Sequence, residues 1–203
     1  MGYSQASKAQ THQRVVQAAA AQFRQNGIDG ISLADLMKEL GLTHGGFYKH
    51  FGSRDELVAE AIDYALEDSE QTMRELLFKG GKPNLARYLK TYLSETHRDS
   101  RATGCSFTAL AGDVARKGEA LQTAMAEQIE RNLELVGEAL DQVRPDQRRN
   151  QALLLLSTLY GALMMARTVG DSALSREILR SVRDVLLAKV NAVPDARTRS
   201  RAD

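Results

Sequence analysis

Between Gly41 and His50 the sequence GLTHGGFYKH places two hydroxyls, two imidazoles and an ammonium on one short stretch. Such a set suits recognition of a surface. Thr43 and Tyr48 can donate hydroxyl hydrogen bonds to phosphate, Lys49 supplies a cation, and His44 can donate to a base edge or a phosphate. Gly45 and Gly46 have no side chain to hold the backbone away from a neighbouring duplex. Adjacent glycines cost a helix about 1 kcal/mol each relative to alanine. Close approach to another surface explains that expense better than a short helix packed loosely into a core.

The second reactive group is Cys105, the single cysteine, in Gly104-Cys-Ser-Phe-Thr-Ala-Leu. Periodicity puts it in the first turn of a helix, where the helix dipole favours a thiolate, with His97 and Arg98 close by. The competing reading is a small buried core residue, the commonest fate of a free cysteine. An all-α thiol-dependent enzyme would need a histidine partner, but His12, His44, His50 and His97 are scattered. No metal-ligand spacing, phosphate loop or paired-carboxylate motif accompanies them, so neither a metal nor a cofactor is expected.

The elements that position these groups are helical throughout. The 203 residues are 43% hydrophobic and 26% charged, with 3 Pro and no Trp, and the strong helix formers dominate. One apolar face, Val16, Ala19 or Ala20, and Phe23, predicts a first helix over 11–25, stopped by Gly27. Ser32-Leu-Ala-Asp35 is a capping box that opens a second helix carrying Leu33, Leu36, Met37 and Leu40. Gly41 ends it, Thr43 caps a short third helix through His50, and Ser53-Arg-Asp-Glu56 is a better capping box for a long fourth. Lys79-Gly-Gly-Lys-Pro83 reads as a linker. Helices over 83–98, 104–115, 118–143, 145–169 and 172–190 follow, about nine in all, and the tail from 193 to 203 reads as disordered. The domain division expected is 1–54, then 55–192.

A net charge of +1 conceals an asymmetry. Up to Arg54 the formal balance is about +3, and a run of acidic residues from Asp55 to Glu75 follows. A basic head suits a nucleic-acid contact confined to the N-terminus. One cysteine fits a reducing compartment, and neither a signal-peptide core nor a membrane span is evident, so a cytoplasmic protein is expected. The helix-turn-helix spacing, with Leu36, Leu40 and Phe47 inward and Gly41 at the turn, would aim the outer face of the third helix into a DNA major groove.

From Ala18 to Ile62 the chain resembles the N-terminal domain of the TetR family of regulators. The most specific pieces are Gly41-Leu42-Thr43 leading to Phe47-Tyr48-Lys49-His50-Phe51, then Ser53-Arg54-Asp55-Glu56-Leu57. The resemblance implies phosphate contacts from Tyr48 and Ser32. It implies a backbone grip from Arg54 at the head of the fourth helix, base-facing positions at His44 and Gly45, and phosphate-flanking ones at Lys49 and His50. Ala34 stands where many members carry a base-reading Arg, so that contact is missing or limited to a thymine methyl. Readout then rests more on the third helix and on DNA shape. This set of phosphate-binding types argues against a helical protein-binding scaffold built on a degenerate module.

The same resemblance implies a repressor that binds double-stranded operator DNA as a homodimer and carries an effector pocket in its C-terminal domain. Some members sense electrophiles or oxidants through a lone cysteine in a segment similar to that of Cys105. Phe107, Tyr160, Met164 and Arg167, polar or adaptable groups on otherwise apolar helices, are further effector candidates, with core packing as the alternative for each. The helix over 145–169 is apolar nearly all round, more than one monomer core needs. Leu155, Leu159 and Leu163 on it, with Ile178, Val182, Val185 and Leu186 on the last helix, are the candidates for the dimer interface. A twofold dimer would read a palindrome.

Overall fold

The computed structural model describes residues 5–192, and both capping boxes start helices there. Ser32 caps α2 (Leu33–Glu39), its hydroxyl accepting from the Asp35 amide at 3.1 Å. The Ser53 hydroxyl accepts from the Glu56 amide, also at 3.1 Å, at the head of α4 (Arg54–Leu77). The first helix, α1 (Gln5–Asn26), begins earlier than its apolar face implied, because a helix extends through polar residues once a nucleus exists. The third, α3 (His44–Phe47), has four residues. Beyond it the Lys49 and His50 amides bond to the carbonyls of Gly46 and Phe47, a tightened turn in place of the α-helix expected through His50.

The segment read as a linker is a hairpin. Phe78–Lys79 (β1) pairs antiparallel with Lys82–Pro83 (β2), and Gly80 and Gly81 turn it with φ of +59° and +74°. Positive φ at both central positions is what a two-residue type I′ turn requires. The single helix expected over 83–98 is two, α5 (Leu85–Tyr92) and α6 (Glu95–Asp99), because the Ser94 hydroxyl accepts from the His97 amide and starts a new helix. A 3₁₀ turn at Arg101–Thr103 follows, then α7 (Ser106–Lys117), α8 (Glu119–Ala139), α9 (Pro145–Thr168) and α10 (Ala173–Ala192). The fold is all-α, with ten α-helices among the described residues.

Two compact units divide the chain. The first comprises Met1–Ser69 with Arg101–Ala126, the second Glu70–Ser100 with Glu127–Asp203. The divisions fall inside α4, between α6 and the 3₁₀ turn, and inside α8. Within the first unit α1 packs on α2 and on α7, so α7 joins the helix-turn-helix. Val15, Ala19, Phe23, Leu36, Phe47, Phe51 and Leu57 are buried there, with Leu110 from α7. Burial of each of these Val, Leu and Phe side chains contributes roughly 1.5–3 kcal/mol.

In the second unit α10 packs on α9 and α5, and α6 on α9. Two buried arginines hold α6. Arg98 pairs with Asp99 at 2.7 Å and donates to the Ser175 hydroxyl at 3.0 Å, while Arg167 donates to the backbone carbonyls of Arg98 and His97, both at 3.1 Å. A buried guanidinium without such partners would be costly, so these pairings specify where α6 lies. No helix among the described residues is long and apolar enough to cross a membrane.

Candidate nucleic-acid interface

Phe47 anchors the recognition element. It is fully buried and stacks on Phe51 with ring centroids 5.2 Å apart. Turning inward, it leaves His44, Gly45, Tyr48 and Lys49 exposed. Tyr48 is 61% exposed although it is large and aromatic, and it stands edge-on to Phe47 and to His44. The Thr43 hydroxyl accepts from the Gly46 amide at 3.1 Å, so this side chain also caps α3. The two glycines have different reasons. A Cβ on Gly46 would lie 3.3 Å from the Thr43 hydroxyl, which crowds the cap. A Cβ on Gly45 would meet nothing within 4 Å, so nothing inside the chain requires glycine there.

Ser32 and Ala34 are exposed at the start of α2. The Ser32 hydroxyl also donates to the Asp35 carboxylate at 2.5 Å. His50 is half-buried, and its Nδ1 meets no hydrogen-bond partner among the described residues. Burial lowers its pKa, helped by the charges of His12, Lys8 and Lys49. His12 itself bridges α1 to α4, stacking on Phe51 at 4.4 Å and reaching Glu60 at 2.6 Å. Arg54 is half-buried and already engaged: it donates to the Ile28 carbonyl at 2.6 Å and pairs with Asp29 at 3.5 Å. No spacing or motif signals these contacts, which tie the head of α4 to the loop after α1.

Cys105 sits at the N-cap of α7, just outside the first turn, and is half-buried. Next to it Ser106 is fully buried; its hydroxyl donates to the Ala65 carbonyl at 2.5 Å and its amide donates to the Ser69 hydroxyl at 3.0 Å. His97 and Arg98 belong to the second unit. There His97 Nδ1 meets the Tyr92 carbonyl at 2.7 Å, and burial lowers the imidazole pKa.

Residues 15–61 match the family described as bacterial regulatory proteins, tetR family. Residues 83–182 match the C-terminal domain of LmrA/YxaF-like transcriptional regulators. An HTH-type transcriptional regulator of Mycobacterium tuberculosis, Rv0196, is 30% identical over 186 residues, spanning 88% of this chain and 95% of that protein. The chain belongs to the TetR family. Among solved structures, a TetR regulator from Chloroflexus aurantiacus superposes with a TM-score of 0.76 at 26% identity, covering 91% of this chain and 96% of that one. The reduced form of NemR from Escherichia coli shares the fold, with a TM-score of 0.68 at 22% identity over 86% and 96% of the two chains. The Mycobacterium tuberculosis relative is a helix-turn-helix transcriptional regulator, and so is this chain.

The second unit of this TetR-family regulator corrects part of the sequence reading. Leu159 and Leu163 are fully buried and Leu155 nearly so, because α9 turns that face into its own monomer core. They are therefore not exposed to a partner. The exposed apolar residues of α9 are Leu153, Leu154, Met164 and Met165. On α10, Val185 is 57% exposed, while Ile178, Val182 and Leu186 are half-buried.

Met164 is exposed, Phe107 is half-buried, and Arg167 holds α6 as described. Tyr160 is buried, its hydroxyl accepting from Asn132 at 3.2 Å. Asn132 accepts in turn from Gln128 at 3.0 Å, and Gln128 donates to Glu70 at 3.1 Å. Gln128 and Asn132 were missed because a polar residue on the α8 stripe looks like a solvated position. A cavity of about 520 Å³ lies in this unit, lined by Leu85, Leu89, Leu140, Leu154, Val182 and Leu186 among others. None of the effector candidates lines it.

Proposed function

We propose that this TetR-family regulator is a repressor that binds a palindromic operator as a homodimer and releases it when an effector binds or Cys105 is modified. The observation that carries the DNA reading is the split across α3. Phe47 is locked inside while Tyr48, Lys49, His44 and Gly45 are exposed together. That arrangement offers phosphate-binding groups and a bare backbone to a major groove. Ser32 at the head of α2 adds a hydroxyl. Arg54 has a double duty in this reading, since its guanidinium has donors left after Ile28 is served.

Dimerisation is supported by where apolar surface remains. Of the eight large hydrophobic residues still exposed among the described residues, seven lie on α9, on α10 or at their ends. The eighth is Tyr48. Contiguous apolar surface on a soluble protein marks an interaction site. The domain reading, an N-terminal DNA-binding part and a C-terminal part for effector and partner, follows from the same division of labour.

A gel shift on the promoter region of the chain's own gene tests the DNA reading. Tyr48→Phe should weaken binding to every sequence alike, by about 1 kcal/mol, since only a phosphate hydrogen bond is lost. His44→Ala should change the preferred site, by about 1–3 kcal/mol at the affected base pair. No salt-sensitive shift with any genomic fragment would reject the regulator reading, and the opposite pattern in the two variants would exchange their roles.

For Cys105, N-ethylmaleimide is the probe. The thiolate adds to the ring alkene, a C–S bond forms, and the neighbouring carbon takes a proton from water. The adduct would crowd the Gly104–Ser106 segment bound to α4, so modified wild type should release DNA while Cys105→Ser is unaffected. Equal release from both proteins would discard the sensor reading.

A further inference from the structure

The loop that leads from α1 into α2 is held by a helix far away in the sequence. Gly27 has φ +83°, and a Cβ there would lie 3.1 Å from the Asp113 carboxylate of α7. The Ile28 amide donates to that carboxylate at 3.1 Å. Asp29 pairs with Lys117, one turn further along α7, at 2.7 Å. The Lys117 hydrogen bond and the charges of Lys117 and Arg54 hold the Asp29 carboxyl below its ordinary pKa against the cost of burial. Arg54 closes the far side through the Ile28 carbonyl. Ile28 and Asp29 are therefore gripped from two directions, shortly before the α2 cap at Ser32.

The ion-pair part of this grip contributes little to stability. The Asp29 side chain is well exposed and that of Lys117 partly so, and ion pairs open to solvent add little to folding. The hydrophobic core between α1, α4 and α7 already holds the helices. What the contacts fix is the path of the loop, and with it the placement of Ser32 and Arg54. The other end of α7 is fixed by Ser106 to Ala65 and Ser69 of α4. A helix anchored at both ends is a strut.

We propose that Asp113 and Lys117 are positioning residues for DNA binding, setting the α1–α2 loop through Ile28 and Asp29 so that Ser32 and Arg54 meet the phosphates together. This rests on the DNA reading above. Its sign makes it separable from plain electrostatics. Removing an acidic side chain from a protein that binds a polyanion should tighten binding if charge alone mattered. The strut predicts the reverse.

The test uses the full-length protein and a duplex that the wild type has enriched from a random-sequence library. Asp113→Ala and Asp29→Ala should each weaken binding on the order of tenfold, with the salt slope unchanged because no phosphate contact is itself removed. Lys117→Arg should bind like wild type and Lys117→Met should not. In free protein, Asp113→Ala should speed hydrogen exchange at the Ile28 amide, a readout that needs no DNA. Binding equal to or tighter than wild type in both alanine variants would overturn the proposal, as would an unchanged Ile28 exchange rate. A wild type that enriches no duplex would instead overturn the DNA reading, and the positioning role with it.

Discussion

Phe47→Ala should lower the stability of the first unit by about 3–5 kcal/mol and abolish DNA binding. The effect is large because one side chain holds the whole recognition element. Helix α3 has four residues, two of them glycine, and a helix so short has no stability of its own. Phe47 is fully buried, stacked on Phe51 and edge-on to Tyr48. Truncating it leaves a cavity beneath the turn and removes the support for the Tyr48 ring. Urea denaturation followed by circular dichroism, paired with DNA titration, reads both effects. A midpoint equal to that of wild type would show that α3 is held by something other than this ring.

The second large effect is expected at the apolar face of α9 and α10. Leu154 and Val185 are each 57% exposed, and both also line the 520 Å³ cavity. Charging both, Leu154→Glu with Val185→Glu, places two carboxylates where a partner's apolar surface would desolvate them. The variant should sediment as a monomer. Its operator affinity should fall by roughly 10²–10⁴-fold, the advantage that linking two half-site contacts provides. Its own fold should be little changed, since both side chains already face water. A variant that remains dimeric with unchanged affinity would move the interface elsewhere.

The local parts of this structure were legible in the sequence. Ser32 with Asp35 and Ser53 with Glu56 are capping signals, and each cap forms as read. The inward Phe47 and the outward Tyr48 and Lys49 followed from helical spacing alone. The break between α5 and α6 was also written, in Ser94 capping the His97 amide, but the apolar period runs across it and hides it. Gly80 and Gly81 were recognised as a chain break, yet their pairing into a turn depends on strands too short to carry an alternating pattern.

The remainder is tertiary. Helix α9 is apolar nearly all round, so periodicity cannot say which face turns inward. That is why Leu155, Leu159 and Leu163 read from sequence as interface candidates although they are buried within the chain. Asp113 and Lys117 look like ordinary solvated charges on α7, and their partners are remote in sequence. Arg54 was read as a residue of the DNA face only. Its second attachment, to the Ile28 carbonyl, is set by how the loop folds back on α4.

Gly45 carries a consequence for how such a regulator can diverge. The space above it is empty within the chain, and its backbone has no positive φ that would exclude other residues. A side chain acquired there would improve helix propensity by up to about 1 kcal/mol, and its only new neighbour would be whatever the helix docks against. Most positions of a recognition element are bound to the fold, so altering what they read also alters how well the protein holds together. At Gly45 the two are uncoupled. A paralogue could change its target by a single substitution there and leave its architecture intact.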